Sequence, residues 1–155
     1  MRAEIPVTAG AVSVVVLREI SGKTQVLLLE RADSLVGEWC PVAGGLEPNE
    51  TAWQGALREV KEETGLVPER LFSADFCEQF YVAAQDMVLI IPVFVAYVGS
   101  EAVVLNHEHS DYKWMDLKAA WKRVPFAGQR RVLKHVKRNF VKRNPSKYLQ
   151  ITLKR

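Results

Sequence analysis

The chain has 155 residues, 48% of them hydrophobic and 25% charged, with a net charge of +3 at neutral pH. That size and balance describe one soluble globular domain long enough to bury a core. No apolar run approaches the roughly 18 residues of a membrane span, and MRAEIPVTAG lacks the basic-then-apolar form of a signal peptide, so a cytoplasmic chain with no membrane partner and with reduced thiols at Cys40 and Cys77 is expected.

Charge is unevenly spread. The first 129 residues carry 11 Lys or Arg against 18 Asp or Glu, whereas ten Lys or Arg and no acid follow from Arg130 onward. A basic tail is compatible with nucleic-acid contact, but the solvated face of a terminal amphipathic helix is the favoured reading. No repeat or linker composition interrupts residues 1 to 155, which are read as a single domain with its core at about 8 to 143 and a basic tail at 144 to 155.

In chain order, TAGAVSVVVL (8 to 17) and TQVLLLE (24 to 30) are apolar and β-branched, and Ser21-Gly22-Lys23 marks the turn of a buried hairpin. Arg31 follows at the strand end, where its guanidinium either clamps a phosphate or pairs on the surface with Glu30 or Asp33. After Gly44-Gly45 and Pro48, Asn49 stands where a helix N-cap is expected, no proline interrupts Glu50 to Thr64, and Gly65 occupies the C-cap position. Ala52, Trp53, Ala56, Leu57, Val60 and Thr64 share one arc of this helix, the face expected on the core.

Beside that arc, Glu59, Glu62 and Glu63 form one stripe at i, i+3 and i+4, where like charges repel by a few tenths of a kcal/mol per pair. A solvated acidic patch is one reading, and a Mg²⁺ or Mn²⁺ site bridging to substrate phosphates is the other. Gly55, one turn before Glu59, is read as leaving room for a metal or phosphate near the helix backbone. Two more strands are expected at 70 to 81 and 86 to 98, with Pro92 marking a bulge or an edge. Phe80 and Tyr81 precede the turn between them, either as core or as a platform for a flat ring.

In LNHEHSDYKWMDL (105 to 117) the two histidines lie only two apart with no third ligand nearby, which speaks against zinc, while Glu108 is placed to reach the helix stripe as a metal ligand or general base. Asp116 is expected to cap a short helix stopped by Pro125, and a last helix, about 129 to 143, carries an apolar stripe of Val132, Val136 and Phe140.

The pattern Gly44, five residues, Glu50, seven residues, then Arg58-Glu59-Val60-Lys61-Glu62-Glu63-Thr64-Gly65-Leu66 resembles the complete signature box of the Nudix hydrolases. The segment EHSDYKWMD is similar to one in members acting on dihydroneopterin triphosphate and, less closely, on diadenosine tetraphosphate. The resemblance implies an α/β fold, a mixed β-sheet sandwiched between α-helices. It implies Glu59, Glu62, Glu63 and the Gly44 carbonyl as metal ligands, Arg58 tied to Glu50, and Glu59 or Glu108 as the base. The expected activity is Mg²⁺-dependent cleavage of a nucleoside or pterin triphosphate, such as dihydroneopterin triphosphate or dATP, to the monophosphate and pyrophosphate. A dinucleoside polyphosphate or RNA 5′-end hydrolase and a non-catalytic nucleotide sensor are the alternatives.

Overall fold

The computed structural model describes residues 3–154, so the parts of the terminal readings that fall on Met1, Arg2 and Arg155 lie outside the described residues. Its chain order is β1 (Val7–Thr8), β2 (Ala11–Ile20), β3 (Lys23–Arg31), β4 (Trp39–Cys40), β5 (Val42–Gly45), α1 (Ala52–Thr64), β6 (Arg70–Val82), β7 (Met87–Tyr97), β8 (His109–Met115), α2 (Leu117–Arg123), α3 (Ala127–Val136) and β9 (Gln150–Ile151). The strands form one mixed sheet. Along its main path the order is β4, β3, β2, β7, β6, β9, with β2 and β7 parallel, β5 antiparallel to β2, and β8 antiparallel to β3.

The apolar run of β2 reads as continuous because both faces of the sheet are covered. Val12, Val14 and Val16 point to one side with Leu27, Leu29, Ala56 and Val60, beneath α1. Val15 and Leu17 point to the other with Val93, Val95, Leu133 and Val136, beneath α2 and α3. Successive residues of one strand thus serve two cores, and fully burying each valine stabilises the fold by about 1.5–3 kcal/mol. The β2–β3 hairpin turns at Ser21 and Gly22, both with positive φ. Asp116 caps α2 by accepting a 2.7 Å hydrogen bond from the Ala119 N–H.

Several boundaries differ from the sequence reading. Pro92 is not at an edge, since β7 lies between β2 and β6; the irregularity it forces is taken up opposite it, where the β6 register shifts between Ser73 and Cys77. The last helix starts at Ala127, and after Val136 it loosens into a π-helical turn, Lys137–Val141, that still buries Phe140. Within the basic tail, Gln150–Ile151 pair antiparallel with Leu71 and Phe72. Cys40 and Cys77 are both free thiols. Among the described residues, no helix is long and apolar enough to cross a membrane.

Candidate active site

The loop and helix that carry the acidic stripe are locked by one arginine. The helix begins at Ala52, not at Asn49: Thr51 is the cap, its hydroxyl accepting from the Gln54 N–H while Gln54 Oε1 accepts from the Thr51 N–H. Asn49 instead takes a left-handed conformation (φ 67°) in the preceding turn, a role asparagine tolerates for the same reason that it resembles a cap in sequence. Gly65 closes the other end with φ 72° and donates to the Lys61 carbonyl.

From α1, Arg58 Nη2 donates to Glu50 Oε1 at 2.6 Å and to the Gly45 carbonyl at 2.8 Å, while Nη1 donates to Glu59 Oε1 at 2.8 Å and Glu62 Oε2 at 3.2 Å. Glu47 lies at the rim, 3.6 Å from Arg58 Nε. Arg58 and the Glu47 N–H hold the Glu50 carboxyl down to about 2. Two acids of the stripe, Glu59 and Glu62, therefore do have a partner within the chain, which the expectation of a pairing confined to Glu50 missed. Gly55 has a different purpose from the one expected. It is buried, and a Cβ there would lie 2.5 Å from Leu46 Cδ2 and 3.0 Å from Glu50 Oε1, so the missing side chain admits the loop and not a phosphate.

Arg58 does not reach Glu63. That side chain is 1% exposed, its Oε2 has no hydrogen-bond partner, and its Oε1 stands 3.4 Å from His109 Nε2. Burial, then the neighbouring Glu59 and Glu108 carboxylates, push its carboxyl up to about 9. Glu59 is also buried and raised chiefly by burial, with Arg58 opposing, and its carboxylate fills the space that Gly44 leaves: a Cβ on Gly44 would lie 2.2 Å from Glu59 Cδ. Oxygen atoms of Glu63 and Glu108 and a ring nitrogen of His109 lie within 4.8 Å of one another.

His109 is the residue that spacing missed. His107 stays exposed in the turn, whereas His109 opens β8 and is buried, its pKa lowered first by desolvation and then by Arg31; Nδ1 faces Asn106 Oδ1. The contact of His109 with Glu63 on α1 joins two distant parts of the chain, which the spacing within 105 to 117 does not show.

These observations fit a bound divalent cation. A buried carboxylate with an orphaned oxygen, raised by two other carboxylates and flanked by an imidazole, has the hard oxygen donors that Mg²⁺ or Mn²⁺ takes. Glu62, half-exposed beside it, adds a further oxygen.

Arg31 lies between this cluster and a cavity of about 450 Å³ on the α3 side of the sheet. It pairs with neither Glu30 nor Asp33 in the described structure; its Nε and Nη2 donate to the Ser34 carbonyl and hydroxyl. Phe80 and Tyr81, 43% and 54% exposed, both line the cavity and do not belong to the core, although the Tyr81 hydroxyl is engaged by Asp86. Glu78, Ile91 and Phe126 line it too and went unmarked in the sequence, because no local spacing joins a β6 carboxylate to the residue before α3.

Comparison with known proteins agrees with this architecture. The chain is 33% identical over 119 residues to the asymmetrical bis(5′-nucleosyl)-tetraphosphatase of Caenorhabditis elegans, covering 76% of this chain and 86% of that one. It is 33% identical over 122 residues to the dihydroneopterin triphosphate diphosphatase of Escherichia coli K12, covering 70% and 80%. A crystal structure of a C. elegans Ap4A hydrolase binary complex superposes with a TM-score of 0.73 at 29% identity, over 84% of this chain and 96% of that one. The model of the NUDIX domain matches residues 7–136, and the chain belongs to that family.

Proposed function

We propose that the chain is a divalent-metal-dependent pyrophosphohydrolase that cleaves a phosphoanhydride in a nucleoside or pterin triphosphate, releasing the monophosphate and pyrophosphate. The observation that carries this reading is the Glu63 carboxyl, buried with an unpartnered oxygen among Glu59, Glu108 and His109, beside a cavity large enough for a ring.

Glu59, Glu62, Glu63 and Glu108 would hold the cation, Mg²⁺ or Mn²⁺, with the Gly44 carbonyl as an additional oxygen. When bound, such an ion neutralises phosphate oxygens and lowers the pKa of a coordinated water. Arg58 is a positioning residue: it fixes Glu59 and Glu62 against the Gly45 carbonyl and the Glu50 carboxylate. Of the two candidate bases, Glu59 is held in place by a hydrogen bond that its Oε1 accepts from Arg58 Nη1. Glu108 is half-buried without an ion pair among the described residues, so it takes the proton of the attacking water. Arg31 meets the phosphates between cavity and acids, and Phe80 and Tyr81 face the ring.

A second reading, hydrolysis of a dinucleoside tetraphosphate, draws on the C. elegans relative and its matching structure, and the same acids would serve it. Chromatographic product analysis with dihydroneopterin triphosphate, dGTP, dATP and diadenosine tetraphosphate, with Mg²⁺ and with chelator, tests both. Monophosphate and pyrophosphate from the triphosphates support the proposal; cleavage confined to the tetraphosphate replaces it with the second reading.

A further inference from the structure

The α3-side cavity holds a charged group that the acidic cluster does not use. Glu78 is half-buried on β6 and is on the same face as Phe80, two residues on. Its Oε2 would lie 3.6 Å from a Cβ on Gly128, at the start of α3, and Arg131 Nη2 would lie 3.8 Å from the same point. No hydrogen bond or ion pair within 4.0 Å engages the Glu78 carboxyl among the described residues. Phe80, Ile91 and Phe126 supply an apolar wall, and Arg31 leads from the cavity toward Glu63. A carboxylate with both oxygens free, set in an apolar ring-sized space, is costly unless a ligand donates to it.

We propose that Glu78 is the ring-selecting residue of this site, reading the amino-oxo pyrimidine edge shared by a pterin (2-amino-4-oxo) and guanine (2-amino-6-oxo), whose phosphates extend past Arg31. The inference rests on the proposed hydrolysis only for the direction in which the phosphates run. That ring edge presents a ring N–H and an exocyclic NH₂ side by side, two donors matched to the two acceptor oxygens of a carboxylate. Adenine offers one donor beside one acceptor, so its N1 lone pair meets the second carboxylate oxygen. Burial pushes the Glu78 carboxyl above its ordinary range, with the Arg131 guanidinium opposing, and a ligand edge that presents two donors draws it to the ionised, two-acceptor form. Phe80 and Phe126, each about half-exposed, present surfaces on which a flat ring stacks.

The test uses the full chain at pH 8 with chelator, and titrates neopterin, GMP and AMP by calorimetry. The wild-type protein is expected to bind neopterin and GMP at least about tenfold more tightly than AMP, the discrimination of one bidentate pair. Glu78→Gln, which offers one acceptor and one donor, should erase or reverse that ratio at an unchanged melting temperature, and Glu78→Ala should erase it. Whether neopterin or GMP binds more tightly identifies the source of the edge. AMP binding as tightly as the other two to the wild type, no binding of any of them, or a folded Glu78→Gln with an unchanged ratio would overturn the inference. Hydrolysis measured separately keeps the two readings apart: ring discrimination without turnover sinks only the proposed activity, and turnover without ring discrimination sinks only the role of Glu78.

Discussion

Gly44→Ala separates the fold from the chemistry. The added Cβ would stand 2.2 Å from Glu59 Cδ and 2.3 and 2.5 Å from its two oxygens. Ordinary contact begins at 3.4 Å, so the carboxylate must withdraw by about 1 Å, loosening the 2.8 Å bond from Arg58 Nη1. Overpacking a well-filled site typically costs about 1–3 kcal/mol, and the lower end applies because what moves is the end of a flexible side chain. For a domain of this size that lowers the melting temperature by about 2–4 °C. Catalysis is less forgiving, since a misplacement of about 1 Å in the reacting geometry can lower the rate about 100-fold, equivalent to about 2.7 kcal/mol of barrier. Steady-state kinetics with Mg²⁺ and thermal unfolding of the same preparation decide the matter. The expected result is a large fall in kcat/KM with a small fall in Tm. Wild-type kcat/KM in a folded Gly44→Ala protein would show that Glu59 need not stand where it does, and the reasoning would fail.

Glu63→Gln keeps the shape and removes the ionisable oxygen that a cation would take, so metal affinity measured by Mn²⁺ titration should weaken at least about tenfold while the melting temperature holds or rises; unchanged affinity would remove Glu63 from the ligand set. Arg58→Ala strips Glu50, Glu59 and Glu62 of their shared donor and should lower both Tm and kcat, whereas an unchanged Tm with a raised KM would point to direct substrate contact. Because the folded pKa of Glu50 is depressed to about 2, its stabilisation is fully present above its ordinary value of 4.5 and is lost as pH falls toward 2; Glu50→Gln should accordingly flatten that part of the Tm profile, and a profile identical to the wild type would contradict the assignment. On the basic tail, Arg138, Lys142 and Arg143 are exposed, while Lys137 sits 5.3 Å from the Trp121 ring and should be spared. Changing the three exposed residues to Gln should cost a small triphosphate only a modest, salt-sensitive part of kcat/KM; a large loss confined to RNA would favour the 5′-end reading.

The sequence made the strands legible where burial on both faces produced long β-branched runs, as in β2 and β7, and it made the helix ends legible where the cap residue has one use, as at Gly65 and Asp116. Asn49 misled because asparagine satisfies two local geometries, and only the Thr51–Gln54 reciprocal bonds separate them. The acidic stripe was visible because helix spacing is local. His109 and Glu78 were not, since each acquires its meaning from an element far away in the chain: α1 for the histidine, the start of α3 for the glutamate. Gly55 shows the converse error, where a glycine beside the acids was given their chemistry although the loop residue Leu46 is what occupies its space.

The central claim is that the carboxylates around Glu63 support metal-dependent cleavage of a phosphoanhydride. Its most direct measurement is ³¹P NMR of a triphosphate incubated with the protein and Mg²⁺, beside a Glu63→Gln sample and a chelated one. The account predicts growing monophosphate and pyrophosphate signals in the first sample alone. Orthophosphate as the sole product, or equal turnover in the chelated sample, would contradict it.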